Sequence, residues 1–243
     1  MRPNINEYKK VQTIAKSVLQ DIKPFITAER SEKEIAERCA SLMKERRAEK
    51  TWYYECPALV LLGSRSCLSI SGKDYVPSDE KVGSENLVTI DLSPLVGQTW
   101  GDCSRSFVVE DGRVREEAEI KSADFLQGLK AERLLHDSFI KAAAPGKTFE
   151  EIFLEMNALI KSLGFENLDF LGNVGHTIEV DKNDRLYFEK GNAAALGQDT
   201  LFTFEPHIRA AAGALSLKTF TILKTASPKS YKKTAGVPAV FCR

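Results

Sequence analysis

Two aspartates are spaced so that they could share a metal ion. Asp91 lies among apolar residues in NLVTIDLSP, and Asp102 follows eleven residues later in TWGDCSRSFVV. A hairpin that turns between Val96 and Gly97 would place the two carboxylates opposite each other. Facing like charges destabilise a sheet unless a cation or a proton lies between them, and such oxygen pairs suit manganese, cobalt or iron. Alternatively, both aspartates cap turns or pair with Arg105.

A histidine and a glutamate stand in similar surroundings further along the chain. His176 follows Gly172 and Gly175 in LGNVGHTIEV, and glycines beside a histidine permit close backbone approach to a ligand. Glu205 ends the apolar segment LFTFEP, where a carboxylate is costly unless it is paired or bound to metal. Two alternatives stay open, a hydrogen-bonded structural role for His176 and a water-exposed position for Glu205.

The elements that position these residues alternate between helical and strand patterns. Capping boxes at Ser31 and Thr148 mark two helix starts, and Pro145-Gly146 breaks the chain before the second. The mid-helix His136 is expected on the surface. The patterns predict helices over about 5–24, 31–49, 115–143 and 149–163, and strands over 57–63, 86–94, 99–109, 174–180, 185–188, 200–206 and 214–224. This arrangement predicts an α+β domain.

Composition favours one globular domain over residues 1–243, with a basic C-terminal tail over 226–243. The 243 residues are 43% hydrophobic and 28% charged, and 34 basic residues balance 34 acidic ones. This balance gives no reason to expect binding to nucleic acid or a membrane. The start lacks the apolar core of a signal peptide, and the five cysteines are scattered without a CxxC pair. We therefore expect a cytoplasmic protein with reduced thiols.

Four segments, VTIDLSP, GDCSRSFVV, VGHTIE and LFTFEP, occur in this order. They resemble the metal-site signatures of the family of methionine aminopeptidase, aminopeptidase P, prolidase and creatinase. The stretch APGKTFEEIFLEMNALIKSLGF also resembles a helix of that family. The resemblance extends from about residue 5 to about residue 225. It implies the pita-bread fold, in which two related α+β halves and a curved antiparallel sheet enclose the metal site.

The same resemblance implies a ligand set. Asp91 and Asp102 match the family's two aspartates, His176 its histidine, and Glu205 the first of its two glutamates. The implied cofactor is one or two divalent ions of manganese, cobalt, iron or zinc, held weakly. Glu205 and His176 would be the catalytic residues, with Glu205 moving the proton.

This sequence departs from the family pattern at several positions. The second glutamate is missing, because no Asp or Glu follows Glu205. His207 is a candidate substitute, since residues two apart on a strand share a face. One substrate-side histidine of the family falls on Asp74, and a second falls near Phe188-Glu189. By the resemblance, only Asp102, His176 and Glu205 remain as the complete ligand set of one ion, with Asp91 as a supporting group.

Two functions follow from this pattern. The first is a metal-dependent hydrolase that cleaves a peptide or small amide C–N bond through a metal-activated water. The second is an inactive pseudo-peptidase that binds a partner or ligand in the former cleft or through the basic tail. The retained ligands favour the first and the missing glutamate favours the second. A homodimer is compatible with either hypothesis.

Overall fold

The computed structural model describes residues 4–197, 200–210, 216–218, 221–224 and 239–240. The described α-helices are α1 (Ile5–Asp21), α2 (Glu32–Glu45), α3 (Ala123–Ala142) and α4 (Phe149–Ser162). The described strands are β1 (Lys50–Thr51), β2 (Ala58–Leu62), β3 (Glu85–Leu92), β4 (Pro94–Val96), β5 (Thr99–Trp100), β6 (Cys103–Glu110), β7 (Arg113–Val114), β8 (Phe165–Asn167), β9 (Leu201–Phe204), β10 (His207–Ala210), β11 (Ser216–Lys218), β12 (Thr221–Lys224) and β13 (Ala239–Val240). None of the described helices is long and apolar enough to cross a membrane.

Each half of the chain contributes two helices followed by antiparallel strands. In the first half, α1 and α2 pack on the sheet β2-β3-β6-β7, over a core that includes Ile35, Val60 and Ile90. In the second half, which contains the ladders β8-β10-β11 and β9-β12-β13, α3 packs on β11 and β9 and α4 packs on β8. The second core includes Phe139, whose ring stacks on Phe204 at 3.9 Å between centroids. This repeat of two helices and a sheet is the two-fold pseudo-symmetry expected of the pita-bread fold.

Several predicted boundaries differ from those of the structure. The helix expected over 115–143 begins only at Ala123, because the Glu110 carboxylate accepts hydrogen bonds from the backbone N–H groups of Lys121 and Ser122. The strand expected over 99–109 is interrupted at Gly101 and Asp102. The helix expected over 5–24 ends at Asp21, and a short 3-10 helix follows over Lys23–Phe25.

The predicted strands over 174–180 and 185–188 are present only as short bridges. His176 bridges Tyr187, and Thr177 bridges Phe202. The backbone of 174–178 nevertheless runs beside β9, because Glu205 N–H donates to the Val174 carbonyl at 3.0 Å. The strand expected over 214–224 is β11 and β12, and its other residues lie outside the described part. Of the tail over 226–243, β13 is described, paired with β12.

His136 does not lie on the surface as expected. Its side chain is 12% exposed, and its ring meets the edge of Phe204 at 4.9 Å between centroids. His136 is largely covered because Leu135 and Phe139, its neighbours on α3, are fully buried under the same helix. His136 therefore belongs to the packed side of α3.

The contribution of the α2 capping box to stability can be tested by mutation. The Ser31 hydroxyl accepts from the Glu34 N–H, and the Glu34 carboxylate accepts from the Ser31 N–H. We expect Ser31→Ala to lower the free energy of unfolding by about 1 kcal/mol, because it removes the partner of a helix N-terminal N–H. Urea unfolding measures this change.

The matched control is Ser41→Ala on an exposed position of the same helix. We expect this change to be neutral or to stabilise by a few tenths of a kcal/mol, because alanine has the higher helix propensity. An equal loss in both variants would contradict the role of the cap.

Candidate functional site

The predicted site residues line one cleft between the two halves. The cleft has a volume of about 390 Å³. Asp91 lies at the end of β3, Asp102 just before β6, His176 on the segment beside β9, and Glu205 just after β9. The helices cover the opposite faces of these strands, which leaves the polar faces free for the cleft.

The two aspartates do not face each other directly, so that prediction is wrong. Asp91 pairs with Ser104, and the register continues through the hairpin β4–β5, where Val96 pairs with Thr99. The turn is therefore centred on Gly97-Gln98, one residue later than predicted, and Gly97 adopts a φ of 61°. Asp102 nevertheless lines the same cleft as Asp91.

His176 is held in the tautomer that a metal ligand requires. Its Nδ1 lies 2.8 Å from the Thr177 carbonyl oxygen, which can only accept, so Nδ1 carries the proton. In the neutral ring Nε2 has the lone pair, and this atom lies 3.5 Å from Glu205 Oε1 and 3.8 Å from Asp102 Oδ2. A hydrogen bond from the other ring nitrogen to a carbonyl is the usual support of a metal-bound imidazole.

The backbone around His176 depends on a glycine. Gly175 has a φ of 142°, and a Cβ at this position would lie 2.2 Å from the Thr203 carbonyl oxygen. The chain can therefore run close enough to β9 for the Thr203 N–H to donate to the His176 carbonyl at 2.7 Å. This close approach sets His176 and Glu205 side by side.

The residues present fit a single divalent ion after a small closure. Within the described residues, no group of three or more His, Cys, Asp or Glu side chains already has the geometry of a formed metal site. Two ligands bonded to one ion at about 2.1 Å lie roughly 3.0–3.4 Å apart. The distances of 3.5 and 3.8 Å from His176 exceed that range by only a few tenths of an ångström. The mixed nitrogen and oxygen donors suit manganese, iron, cobalt or zinc.

His207 lines the cleft, but one of its ring nitrogens is already engaged. Its Nε2 lies 2.7 Å from the Ser66 carbonyl oxygen and therefore donates to it. With Nε2 as the donor, the lone pair of the neutral ring is on Nδ1. Pro206 separates β9 from β10 at this point, so Glu205 and His207 are not on one continuous strand. The substitute-ligand role of His207 stays a prediction.

The cysteines near the cleft are poor nucleophiles. Burial, together with the nearby Asp91 carboxylate, raises the pKa of the Cys56 thiol to about 11. Cys103 is fully buried in the first core, as expected for a packed apolar residue. A protonated thiol is a weak nucleophile, so these positions favour water as the attacking group.

Sequence reasoning did not identify the aromatic wall of the cleft. Trp52, Tyr53 and Tyr187 line it, and the Trp100 ring lies 6.0 Å from the His176 ring. At the position expected to replace the family's second histidine, Phe188 is buried in the helix-side core while Tyr187 lines the cleft, 5.4 Å from His176 between centroids. The run WYY at 52–54 was the available signal for this wall.

Asp74, onto which the resemblance places a substrate-side histidine of the family, lines the cleft. Burial raises the pKa of the Tyr187 hydroxyl, and the neighbouring Glu205 and Asp102 carboxylates raise it too, while Arg185 acts in the opposite direction. Tyr187 is therefore a neutral hydroxyl at physiological pH.

Comparison with known proteins agrees with this architecture. The profile of metallopeptidase family M24 matches residues 6–224. A Xaa-Pro dipeptidase from Pyrococcus furiosus is 28% identical over 185 residues, which cover 75% of this chain and 48% of that protein. This chain therefore spans about half the length of its curated relative.

Solved structures show the same fold. X-Pro aminopeptidase from Thermotoga maritima superposes with a TM-score of 0.76 at 19% identity, over 100% of this chain and 62% of that one. Methionine aminopeptidase from Rickettsia prowazekii gives a TM-score of 0.71 at 13% identity, over 99% of this chain and 98% of that one. The pita-bread fold expected from the sequence is confirmed.

Gly175 provides a test of the backbone approach that positions His176. We expect Gly175→Ala to lower the free energy of unfolding by about 2–5 kcal/mol, because the new methyl group would overlap the Thr203 carbonyl and the φ is unfavourable for alanine. Thermal and urea unfolding measure this loss.

Gly191→Ala is the matched control, since Gly191 has a φ of 86° and open space around its Cβ position. We expect a loss of about 1 kcal/mol there, from backbone strain alone. Equal losses at the two positions would show that the contact with Thr203 is not the cause.

Proposed function

This chain belongs to metallopeptidase family M24, and we propose that it is a metal-dependent hydrolase that cleaves a peptide or small amide C–N bond. The observation that carries this proposal is the convergence of His176 Nε2 with Glu205 and Asp102 in one cleft. A neutral imidazole nitrogen beside two carboxylates is a donor set for a divalent cation.

Asp102, His176 and Glu205 would hold the ion, and Asp91 would support it from the end of β3. A bound divalent ion lowers the pKa of water and polarises a carbonyl oxygen. The chain's own residues contribute orientation, because the Thr177 carbonyl fixes the His176 ring. The Glu205 side chain is 17% exposed, so it can exchange a proton with a group in the cleft.

The sequence favours one ion over two. A second ion would need another bridging carboxylate, and no Asp or Glu follows Glu205. Without that charge, two cations at close range would repel each other more strongly than the remaining ligands offset. We therefore propose about one ion per chain.

The proposed substrate is a peptide or a small amide. The relatives are a Xaa-Pro dipeptidase, an X-Pro aminopeptidase and a methionine aminopeptidase. Within the described part of the chain, Cys39, Cys56, Cys67 and Cys103 form no disulfide, which suits the reducing cytoplasm. We accordingly propose a cytoplasmic peptidase-type hydrolase.

An inactive pseudo-peptidase is the second candidate. It is favoured by the missing second glutamate and by the absence of a formed metal cluster within the described residues. In that case the cleft would bind a ligand without cleaving it. Metal binding separates the two hypotheses before any substrate is known.

The metal prediction is tested by thermal unfolding in manganese, cobalt, zinc or EDTA. At an ion concentration of about 100 times Kd, binding stabilises the fold by about 2.7 kcal/mol, which corresponds to a rise in Tm of about 5–10 °C for a chain of this size. We expect this rise for the natural sequence and its loss in Asp102→Asn and His176→Ala. Elemental analysis should give about one ion per chain.

Asp137→Asn, on an exposed position of α3, is the matched control and should keep the metal-dependent rise. The metal hypothesis fails if the natural protein melts at the same temperature with every metal and with EDTA.

Activity is tested with a panel of Xaa-Pro dipeptides, methionyl peptides and small amides in the presence of manganese or cobalt. We expect hydrolysis of at least one member, a loss of more than about 100-fold in kcat/KM in Asp102→Asn, and little change in Asp137→Asn. Metal uptake without hydrolysis of any member would favour the pseudo-peptidase.

A further inference from the structure

Asp102 lies in a short segment between two strands. β5 ends at Trp100 and β6 begins at Cys103, so Gly101 and Asp102 belong to neither strand. Because Asp102 is buried, the backbone groups of this segment need partners other than a regular ladder. The segment also sets the direction of the Asp102 carboxylate, which lies 3.8 Å from His176 Nε2.

A glutamine from the first helix supplies one of these partners. Gln12 Nε2 donates a hydrogen bond to the main-chain carbonyl of Asp102 at 2.9 Å, across 90 residues of sequence. The preceding residue is held separately. The Gly101 carbonyl accepts from the Trp52 indole N–H at 2.5 Å, and the Gly101 N–H donates to the Pro94 carbonyl at 2.8 Å. Gln12 thus holds the peptide group that follows the Asp102 side chain.

The close approach of α1 to this segment makes the hydrogen bond possible. A Cβ on Gly101 would lie 2.5 Å from Val11 Cγ1, so the helix packs this closely because glycine has no side chain. Val11 and Gln12 are neighbours on α1, and both are buried. The contact at Gly101 therefore brings the Gln12 amide within reach of Asp102.

Gln12 differs in polarity from the face that it occupies. The buried face of α1 includes Val11, Ala15, Val18 and Leu19. An amide is costly on such a face unless it is hydrogen-bonded, and an apolar side chain of similar size would fill the same space at lower cost. The hydrogen bond to Asp102 gives this buried amide a role besides packing.

The same helix also supports the other side of the site. Tyr8 lies one turn before Gln12, and its ring meets the Trp100 ring edge to face, with 5.9 Å between centroids. The Trp100 ring in turn lies 6.0 Å from the His176 ring. α1 therefore contacts the immediate surroundings of both Asp102 and His176.

We propose that Gln12 is a positioning residue for Asp102. By holding the Asp102 carbonyl, it keeps the carboxylate beside His176 Nε2. The inference rests on the proposed function for the role of Asp102 as a metal ligand. Gln12 is not among the described residues that line the cleft, so it acts through Asp102 and not on a substrate.

The first test needs no metal. Hydrogen–deuterium exchange of the full chain in EDTA is followed by mass spectrometry over peptides that span residues 99–104. Methionine fills the space of glutamine but cannot donate, so we expect Gln12→Met to make exchange there about 10-fold faster. Peptides from α3 should exchange as in the natural protein. Gln12→Asn, shorter by one methylene group, should have the same effect and replaces Gln12→Met if that variant does not fold.

Gln20→Met is the matched control, since Gln20 occupies an exposed position of the same helix. It should leave exchange over 99–104 unchanged. Three results would each overturn the proposal: unchanged exchange in Gln12→Met, an equal acceleration in Gln20→Met, or an acceleration spread evenly over the chain. The last would show that Gln12 contributes only to general stability.

The second test measures manganese binding by calorimetry. We expect Gln12→Met to raise the Kd about 10- to 100-fold, the effect typical of removing a group that orients a metal ligand, and Gln20→Met to leave it unchanged. Equal Kd values for Gln12→Met and the natural protein would overturn the positioning role and leave the hydrolase proposal standing. If the natural protein binds no manganese but exchange over 99–104 depends on Gln12, the positioning role stands and the metal-dependent hydrolase falls.

Discussion

Crowding of negative charge around one imidazole is the constraint on which the cleft depends. Asp91, Asp102 and Glu205 come from three different parts of the chain, yet all line one partly enclosed space with His176. Carboxylates brought together away from bulk water repel each other unless a cation or protons compensate. The folded chain provides a hydrogen-bonded imidazole whose Nε2 lies 3.8 Å from the Asp102 carboxylate and 3.5 Å from the Glu205 carboxylate. A divalent ion, as proposed for these residues, would resolve the repulsion.

The two cores explain how such a cluster can be held. Helices cover one face of each set of strands, so apolar burial fixes the strands while the opposite faces carry polar groups. Gly175 then permits the backbone contact that places His176 next to Glu205. On α3, Glu132 is buried, and burial raises the pKa of its carboxyl well above its usual value.

Much of this arrangement could be predicted from sequence. The capping boxes at Ser31 and Thr148 are present as expected, and the order of the motifs identified the fold and the family. The register of the hairpin was harder to predict, because two turn positions one residue apart satisfied the same pattern. The start of α3 depended on hydrogen bonds that the distant Glu110 carboxylate accepts from the Lys121 and Ser122 N–H groups, which no local pattern reports. Gln12 and Asp102 come together only through tertiary contacts, so spacing along the chain gave no sign of their hydrogen bond.

A crystal grown with manganese tests the central claim most directly, by locating the ion through its anomalous scattering. We predict one strong peak per chain, about 2.0–2.3 Å from His176 Nε2 and from one oxygen each of Asp102 and Glu205. The same crystal should show those two carboxylates closer to the imidazole than in the present structure. Full-length, well-ordered protein with no peak at these residues, or with its manganese bound elsewhere, would contradict the account.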